Sequence, residues 1–346
     1  MILHIMILDK FLPPFIDFVD KHLGRGEHKF VFITSEKYQY GLTPEHGAEF
    51  LHTDEDLNIT LAGYMARAER ILLHGLWRDK VNELLVRQPE LLKKTFWVMW
   101  GGEFYYPQRC NENQRYVMTH VAYMINVLDE EIAMVRTLYG ATGKHLRSYF
   151  YSTNLFHINR DFCQGDGAVR ILMGHSTAKD IRHLDYLPKI AAKDDGSFEV
   201  FCPLSYPKTD LSYIEQIVTT GKQLFEGRFN PLQDFIPLEH YRSWISKINF
   251  AVFSSSRQHG MSNMVDLLGH GCKLFLDPTV STWTFFKRIG VEIYSVHELD
   301  FSPIQARSAS NNAKRIQAYF SETRLKRDLS TIFSMTLGHD IQLEEI

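Results

Sequence analysis

Short apolar runs of strand length alternate with amphipathic helical stretches along almost the whole chain, and this alternation restricts the fold more than any other feature. Ile2–Leu8, Phe30–Thr34, Ile71–His74, Phe96–Trp100 and Arg147–Ser152 read as strands, with helical spacing over Leu57–Ala68 and Asp79–Arg87. Strands apolar on both faces belong to a parallel sheet covered by helices on each side. The pattern stops at Asn159–Ala168, a stretch rich in Asp, Gly and Asn that reads as a linker. It then restarts, with strands at Val169–Met173, Phe198–Phe201, Phe250–Ser254, Lys273–Leu276 and Glu292–Tyr294. Helices are expected at Asp180–Ala191, Leu211–Phe225, Leu238–Ile248, Ser262–His270 and Thr282–Ile289, with a long amphipathic one over about Asn312–Phe333. The expectation is an α/β chain of two facing Rossmann-like domains, 1–160 and 169–310, followed by a C-terminal helix and tail, 311–346. Ligands of such sheets sit at the carboxyl ends of strands, so the cleft between the domains is the expected active site.

Length agrees, since 346 residues are too many for one ordinary core. A net charge of −3 gives no general electrostatic case for nucleic acid. The four cysteines, Cys110, Cys163, Cys202 and Cys272, form no CxxC pair, so a zinc site is not expected. Scattered thiols suit a reducing compartment, the cytoplasm. The apolar start MILHIMILDKFLPPF lacks a basic leading region and a small-residue cleavage site, and Asp9-Lys10 interrupts it. No run reaches the roughly 18–20 apolar residues that cross a bilayer.

In the second half, Ser254-Ser255-Ser256-Arg257-Gln258-His259-Gly260-Met261-Ser262-Asn263 follows a strand and opens a helix. Small polar residues and a glycine at such a turn expose backbone N–H groups, the helix dipole adds partial positive charge, and Arg257 can add a charge-assisted bond to phosphate. The plainer alternative is a helix capped by Ser262 beside a solvated arginine. Gly174-His175-Ser176 lies at the first strand-to-helix turn of this half, the phosphate-facing loop of a nucleotide fold, or else an ordinary turn. In Pro203-Leu204-Ser205-Tyr206-Pro207 two prolines stiffen a turn that offers Tyr206 either to a nucleotide or to the core.

In the first half, Trp97-Val98-Met99-Trp100-Gly101-Gly102-Glu103-Phe104-Tyr105-Tyr106 ends a strand in two glycines, a carboxylate and aromatics. Glycines allow close backbone approach, aromatic faces suit sugar rings, and Glu103 is placed to act as a general base or to accept from a sugar hydroxyl. The alternative is a helix-capping Glu103 with core aromatics. His74-Gly75 ends another strand, where His74 either meets a substrate or stays structural. Asp54-Glu55-Asp56 has the DxD spacing of metal-dependent glycosyltransferases, but it stands before a helix, where acidic residues suit the dipole.

Together these motifs resemble the TDP-N-acetylfucosamine:lipid II N-acetylfucosaminyltransferase family, which extends the lipid-linked repeat of enterobacterial common antigen. The likeness runs in order over about residues 70–295. It is carried by His74-Gly75, Trp100-Gly101-Gly102-Glu103-Phe104-Tyr105, Gly174-His175-Ser176, Pro203-Leu204-Ser205-Tyr206-Pro207 and Arg257-Gln258-His259-Gly260-Met261-Ser262. Glu103 stands where the family has Asp, His175 for Asn, Ser205 for Gly, His259 for Gln and Ser262 for Gly; a later Asn of the family falls on Ile181.

The resemblance implies a metal-independent GT-B glycosyltransferase with no cofactor beyond its nucleotide-sugar donor, a dTDP-linked 6-deoxy-amino sugar. Its donor site would comprise Gly174, His175, Ser176, Ser205, Tyr206, Arg257, Gln258, Gly260, Ser262 and Asn263. Its acceptor, a glycan on a polyprenyl diphosphate, would meet His74, Trp100, Gly101, Gly102 and Tyr105, with Glu103 and Arg257 catalytic. Such an acceptor implies peripheral contact with the cytoplasmic face of the inner membrane, for which Phe11–Phe18 and Lys93-Lys94 are candidates. A transferase with another donor or a protein acceptor, a sugar-binding module and a sugar-nucleotide epimerase are the alternatives.

Overall fold

The computed structural model describes residues 1–158, 168–206, 210–234, 236–339 and 343. The chain divides into two compact units, Met1–Asn154 with Glu322–Glu345, and Leu155–Ser321 with Ile346.

Unit 1 is built on strands β1 (Ile2–Met6), β2 (His28–Ile33), β3 (Glu49–Leu51), β4 (Arg70–His74), β5 (Thr95–Val98), β6 (Tyr123–Ile125) and β7 (Lys144–Leu146). They form one parallel sheet in the order β3-β2-β1-β4-β5-β6-β7. Helices α1 (Leu12–His22), α2 (Ala62–Arg67), α3 (Asp79–Arg87), α4 (Glu112–His120) and α5 (Asp129–Tyr139) connect them. Every residue of β1 is buried, as a central strand covered on both faces requires. Side chains alternate across the sheet. Leu3, Ile5, Val31, Ile71, Leu73 and Trp97 pack on one side with Met65, Leu84, Val117 and Val135 from α2 to α5. His4 and Phe30 face the other side, where Phe15 of α1 and Phe333 meet them. Full burial of a side chain such as Phe15 contributes about 1.5–3 kcal/mol.

Unit 2 repeats the plan with β8 (Val169–Met173), β9 (Phe198–Pro203), β10 (Phe229–Leu232), β11 (Phe250–Phe253), β12 (Lys273–Leu276) and β13 (Tyr294–Ser295), all parallel, in the order β10-β9-β8-β11-β12-β13. Its helices are α6 (His183–Ala191), α7 (Leu211–Phe225), α8 (Leu238–Ile245), α9 (Met261–Gly269), α10 (Ser281–Arg288) and α11 (Ala306–Tyr319). Ile171, Met173, Val200, Cys202, Val252 and Phe275 form its core with Tyr186, Leu187, Ile190, Ile214 and Phe225 of α6 and α7.

Several expected elements take a different form. The strand expected at Arg147–Ser152 ends at Leu146, and Ser152–Asn154 is a tight helical turn. The helix expected at Leu57–Ala68 opens as a π-helical stretch, Asp56–Leu61, before α2. The helix expected from Asp180 begins at His183, because Arg182 has a positive φ of 57° that no helix continues through. The helical C-terminal segment runs as α11 and then α12 (Glu322–Ser334), and residues 311–346 are thereby shared between the units. Of the expected linker Asn159–Ala168, all but Ala168 lie outside the described residues, as do Cys163 and Pro207.

Candidate functional site

In unit 2 the strand order reverses between β8 and β11. Ligands of open parallel sheets bind beyond the carboxyl ends of the strands at such a point. The chain leaves β8 at Gly174, whose N–H donates to Val252 O at 2.9 Å and so ties the two strand ends together. The loops carrying Gly174-His175-Ser176 and Ser254–Asn263 therefore meet, with the His175 and His259 rings 5.3 Å apart. A Cβ on Gly260 would lie 2.9 Å from His175 Cγ, and Gly260 has φ +66°, so this approach needs glycine. Gly260 is also the residue before α9, with no side-chain cap. The alternative of a Ser262 cap does not hold: the helix starts at Met261, which places Ser262 and Asn263 in the first turn with their amides. The loop after β9 joins the group: Tyr206 O accepts from Thr177 N at 3.1 Å, Ser205 is half-buried, and the Tyr206 ring is exposed.

Charge at this point comes in pairs. Asp180 Oδ2 accepts from Arg257 Nε at 2.9 Å and lies 2.8 Å from His259 Nε2. Burial alone would raise the Asp180 carboxyl, but His259 and Arg257 outweigh it and hold its pKa at about 2. Arg182 donates from Nε to Ser254 O at 2.7 Å and from Nη2 to Asp277 Oδ2 at 2.7 Å. Gly174–Ser176 and Arg257–Asn263 are expected here from sequence; Asp180, Arg182 and Asp277, which the structure brings beside them, are not. No local signal marks a positive φ at an arginine, and the partners lie 72 to 95 residues apart.

Unit 1 has the same reversal, between β1 and β4. A chain of neutral groups crosses the sheet from the start of β2 and reaches this point at His74, the last residue of β4. His4 Nδ1 lies 3.0 Å from His74 Nε2, and His4 Nε2 lies 2.9 Å from His28 Nδ1. His74 Nδ1 in turn lies 2.8 Å from the Tyr151 hydroxyl, which accepts from Trp100 Nε1 at 2.7 Å. Burial pushes His74 down to about 3 and His28 to about 4, lowers His4 well below its usual value, and raises Tyr151 well above its own. His74, expected at the acceptor, is 1% exposed with both ring nitrogens engaged. Its place is beneath the surface, holding Tyr151, which holds Trp100.

The Trp100–Tyr106 turn lies at the end of β5. Trp100 is half-buried, with its ring 4.6 Å from Phe11 and 5.9 Å from Trp77. Gly101 has φ +96°, and a Cβ on Gly102 would lie 2.8 Å from the Trp77 ring, which is why this turn takes two glycines. Trp77, 38% exposed, lies beside Trp100 and is not among the residues expected from sequence, although it stands two residues after Gly75. Glu103 is 3% exposed. Its Oε1 accepts from Trp100 N at 2.8 Å and Trp97 Nε1 at 3.1 Å, while Oε2 is buried without a partner among the described residues. Burial pushes this carboxyl up to about 7 against those two donors. The residue expected to take an acceptor proton is thus enclosed and anchors the turn. The Tyr105 hydroxyl is likewise committed, donating to Glu131 Oε1 at 2.5 Å.

Asp54 pairs with Lys80, and Asp56 Oδ2 accepts from His52 N at 3.0 Å and Thr53 N at 2.9 Å, so the DxD-like triplet starts a helix. Among the described residues no cluster of His, Cys, Asp or Glu is disposed to hold a metal. No helix there is long and apolar enough to cross a membrane. Of the membrane candidates, Phe15 and Phe18 are buried and Lys94 Nζ is held by Ala66 O at 3.0 Å and by Ala68 O.

The family described as 4-alpha-L-fucosyltransferase glycosyl transferase group 56 matches residues 12–322. Among solved structures, Anabaena Alr3699/HepE in complex with UDP and glucose superposes with a TM-score of 0.68 at 9% identity, over 96% of this chain and 99% of that one. A glycosyltransferase from Rickettsia africae gives 0.70 at 8% identity, over 96% and 97%. Sucrose-phosphate synthase from Thermosynechococcus elongatus gives 0.63 at 10%, over 96% of this chain and 98% of that one. These likenesses are of fold: two parallel-sheet α/β domains of the GT-B type with a helical C-terminal segment.

Proposed function

The chain belongs to the glycosyltransferase group 56 family and is a glycosyltransferase of GT-B fold, and from that premise we propose that it moves a 6-deoxy-amino sugar of the N-acetylfucosamine kind from a dTDP donor to a polyprenyl-diphosphate-linked glycan, without a metal ion. The observation that carries the donor half is the β8/β11 switch point. There Arg257 and the uncapped first turn of α9 meet the Gly174–Ser176 loop, a combination that suits a diphosphate. Ser205, Tyr206, Gln258, Ser262 and Asn263 would line the nucleotide and sugar, and fixed cationic and amide groups would stabilise the departing diphosphate as a metal does elsewhere. The family's fucosyl description favours a 6-deoxy sugar. The UDP bound by HepE favours a nucleotide-sugar donor and makes UDP the second nucleotide to try.

The acceptor half rests on unit 1. Trp100, Trp77 and Phe11 form an aromatic rim suited to sugar rings and an isoprenoid, with Gly101, Gly102, Glu103, Tyr105 and the His74–Tyr151 pair supporting it from below. Such an acceptor places the enzyme on the cytoplasmic face of the inner membrane as a peripheral protein. The test is calorimetric titration with dTDP and UDP in EDTA, on wild type and Arg257→Ala. One nucleotide should bind without metal, and the variant should lose about tenfold to 100-fold in affinity, the range for a charged hydrogen bond. Binding that needs a divalent ion, or a variant that binds as well as wild type, contradicts the reading. Conversion of the donor sugar with no acceptor present would move the chain to the epimerases.

A further inference from the structure

The β8–α6 turn contains a second fixed cation, Arg182. Arg182 has φ +57°, a left-handed conformation that costs a non-glycine residue energy and persists only where the surroundings impose it. Its side chain is held on three sides. Nε donates to Ser254 O at 2.7 Å, and Ser254, the first residue after β11, is fully buried. Nη2 donates to Asp277 Oδ2 at 2.7 Å, and Asp277 is itself fixed by Thr279 N at 3.0 Å and Thr279 Oγ1 at 2.7 Å. The guanidinium carbon lies 5.4 Å from the centre of the Tyr186 ring. Nη1 has no hydrogen-bond partner among the described residues, and the side chain is 33% exposed.

The neighbouring residue gives a second, independent observation. His183 is fully buried, and its Nε2 has no partner among the described residues. It points at the donor loop: a Cβ on Gly174 would lie 2.9 Å from it. Buried polar atoms are almost always hydrogen-bonded, so an orphan beneath this loop marks a place where the loop or its ligand supplies the missing partner.

We propose that Arg182 is the fixed phosphate ligand of this site, offering its Nη1 edge to the terminal phosphate of a nucleoside diphosphate, with Arg257 closing from the opposite loop. The proposal rests on the donor reading given above. It divides the work between two arginines. Arg257 is held by Asp180, an anion that a diphosphate would replace. Arg182 is held by a carbonyl and an enclosed carboxylate that leave its outer edge in place. A guanidinium pre-positioned in this way loses little freedom on binding.

The test compares diphosphates with monophosphates. Wild type, Arg182→Asn and Arg182→Gly are titrated with dTDP, dTMP, UDP and UMP in EDTA. Asparagine and glycine both tolerate a positive φ, so each keeps the backbone while removing the guanidinium. Both variants should lose about tenfold to 100-fold in affinity for the diphosphate that wild type binds and less than about threefold for its monophosphate. Equal loss for both nucleotides in both variants would make Arg182 a folding residue and overturn the proposal. So would undiminished diphosphate binding. If wild type binds none of the four, the donor reading falls first and this one with it.

Discussion

The two sheets share a strand order and a switch point, yet they place opposite chemistry there. Beyond β8 and β11, ion pairs gather: Arg257 on Asp180, with the His259 ring beside it, and Arg182 on the buried Asp277. In unit 1, three histidines are linked in a chain that crosses the face of the sheet from the start of β2 to the end of β4, where it meets a tyrosine and a tryptophan, and burial keeps it neutral. Topology fixes where loops converge, and side chains decide what they hold. A charged switch point suits a nucleoside diphosphate. A neutral aromatic one suits a sugar ring and an apolar tail.

The comparison breaks first at His74. His74→Ala would strand His4 Nδ1, take one of two partners from the Tyr151 hydroxyl and leave a cavity, so unfolding in urea should show a loss of about 3–5 kcal/mol. A loss under about 1 kcal/mol would mean that the imidazole chain is not structural. Glu103→Gln tests the same neutrality with the opposite sign. A carboxyl raised from 4.5 to about 7 contributes stability that is present below pH 4.5 and lost as pH rises through 7. Glutamine removes that loss and should gain up to about 3 kcal/mol at pH 8 and little at pH 4. It should leave nucleotide binding unchanged. A gain that is independent of pH would contradict the assignment.

The histidines run the other way. Their lowered values give stability that is full above pH 6.5 and is lost as pH falls towards about 4 for His28 and about 3 for His74. Each histidine adds at most about 1.4 kcal/mol per pH unit to that acid loss. His28→Gln should therefore flatten the acid limb of the unfolding midpoint between pH 6.5 and 4. An unaltered slope would exclude His28 from the chain. The smallest effect belongs to Asp54→Asn, which breaks an exposed pair with Lys80. It should leave nucleotide affinity in EDTA and in magnesium unchanged, whereas lost affinity in magnesium alone would revive a metal role.

Much of this fold is legible in the sequence because apolar strands and helical spacing are local signals. Short strands are less so. β3 reads Glu-Phe-Leu and β6 Tyr-Met-Ile, too brief for a pattern to show. α1 is masked by Pro13 and Pro14, which are tolerated because the first turn of a helix has no partner for the missing N–H groups. Of the site, the Gly174, Arg257 and Trp100 loops are visible as strand-end motifs. Their partners are not. His4 reads as one polar residue in an apolar strand, and its bonds reach 24 and 70 residues along the chain. Glu103 is visible as a carboxylate, but only the packed turn shows that it faces inward.

The central claim is that the charged switch point, and not the neutral one, receives the nucleotide. Amide hydrogen exchange with and without dTDP or UDP, in EDTA, tests it most directly. Added protection should fall on 174–183 and 254–263 and leave 74–77 and 100–106 unchanged. Protection confined to the second pair of segments would contradict the assignment of the two units.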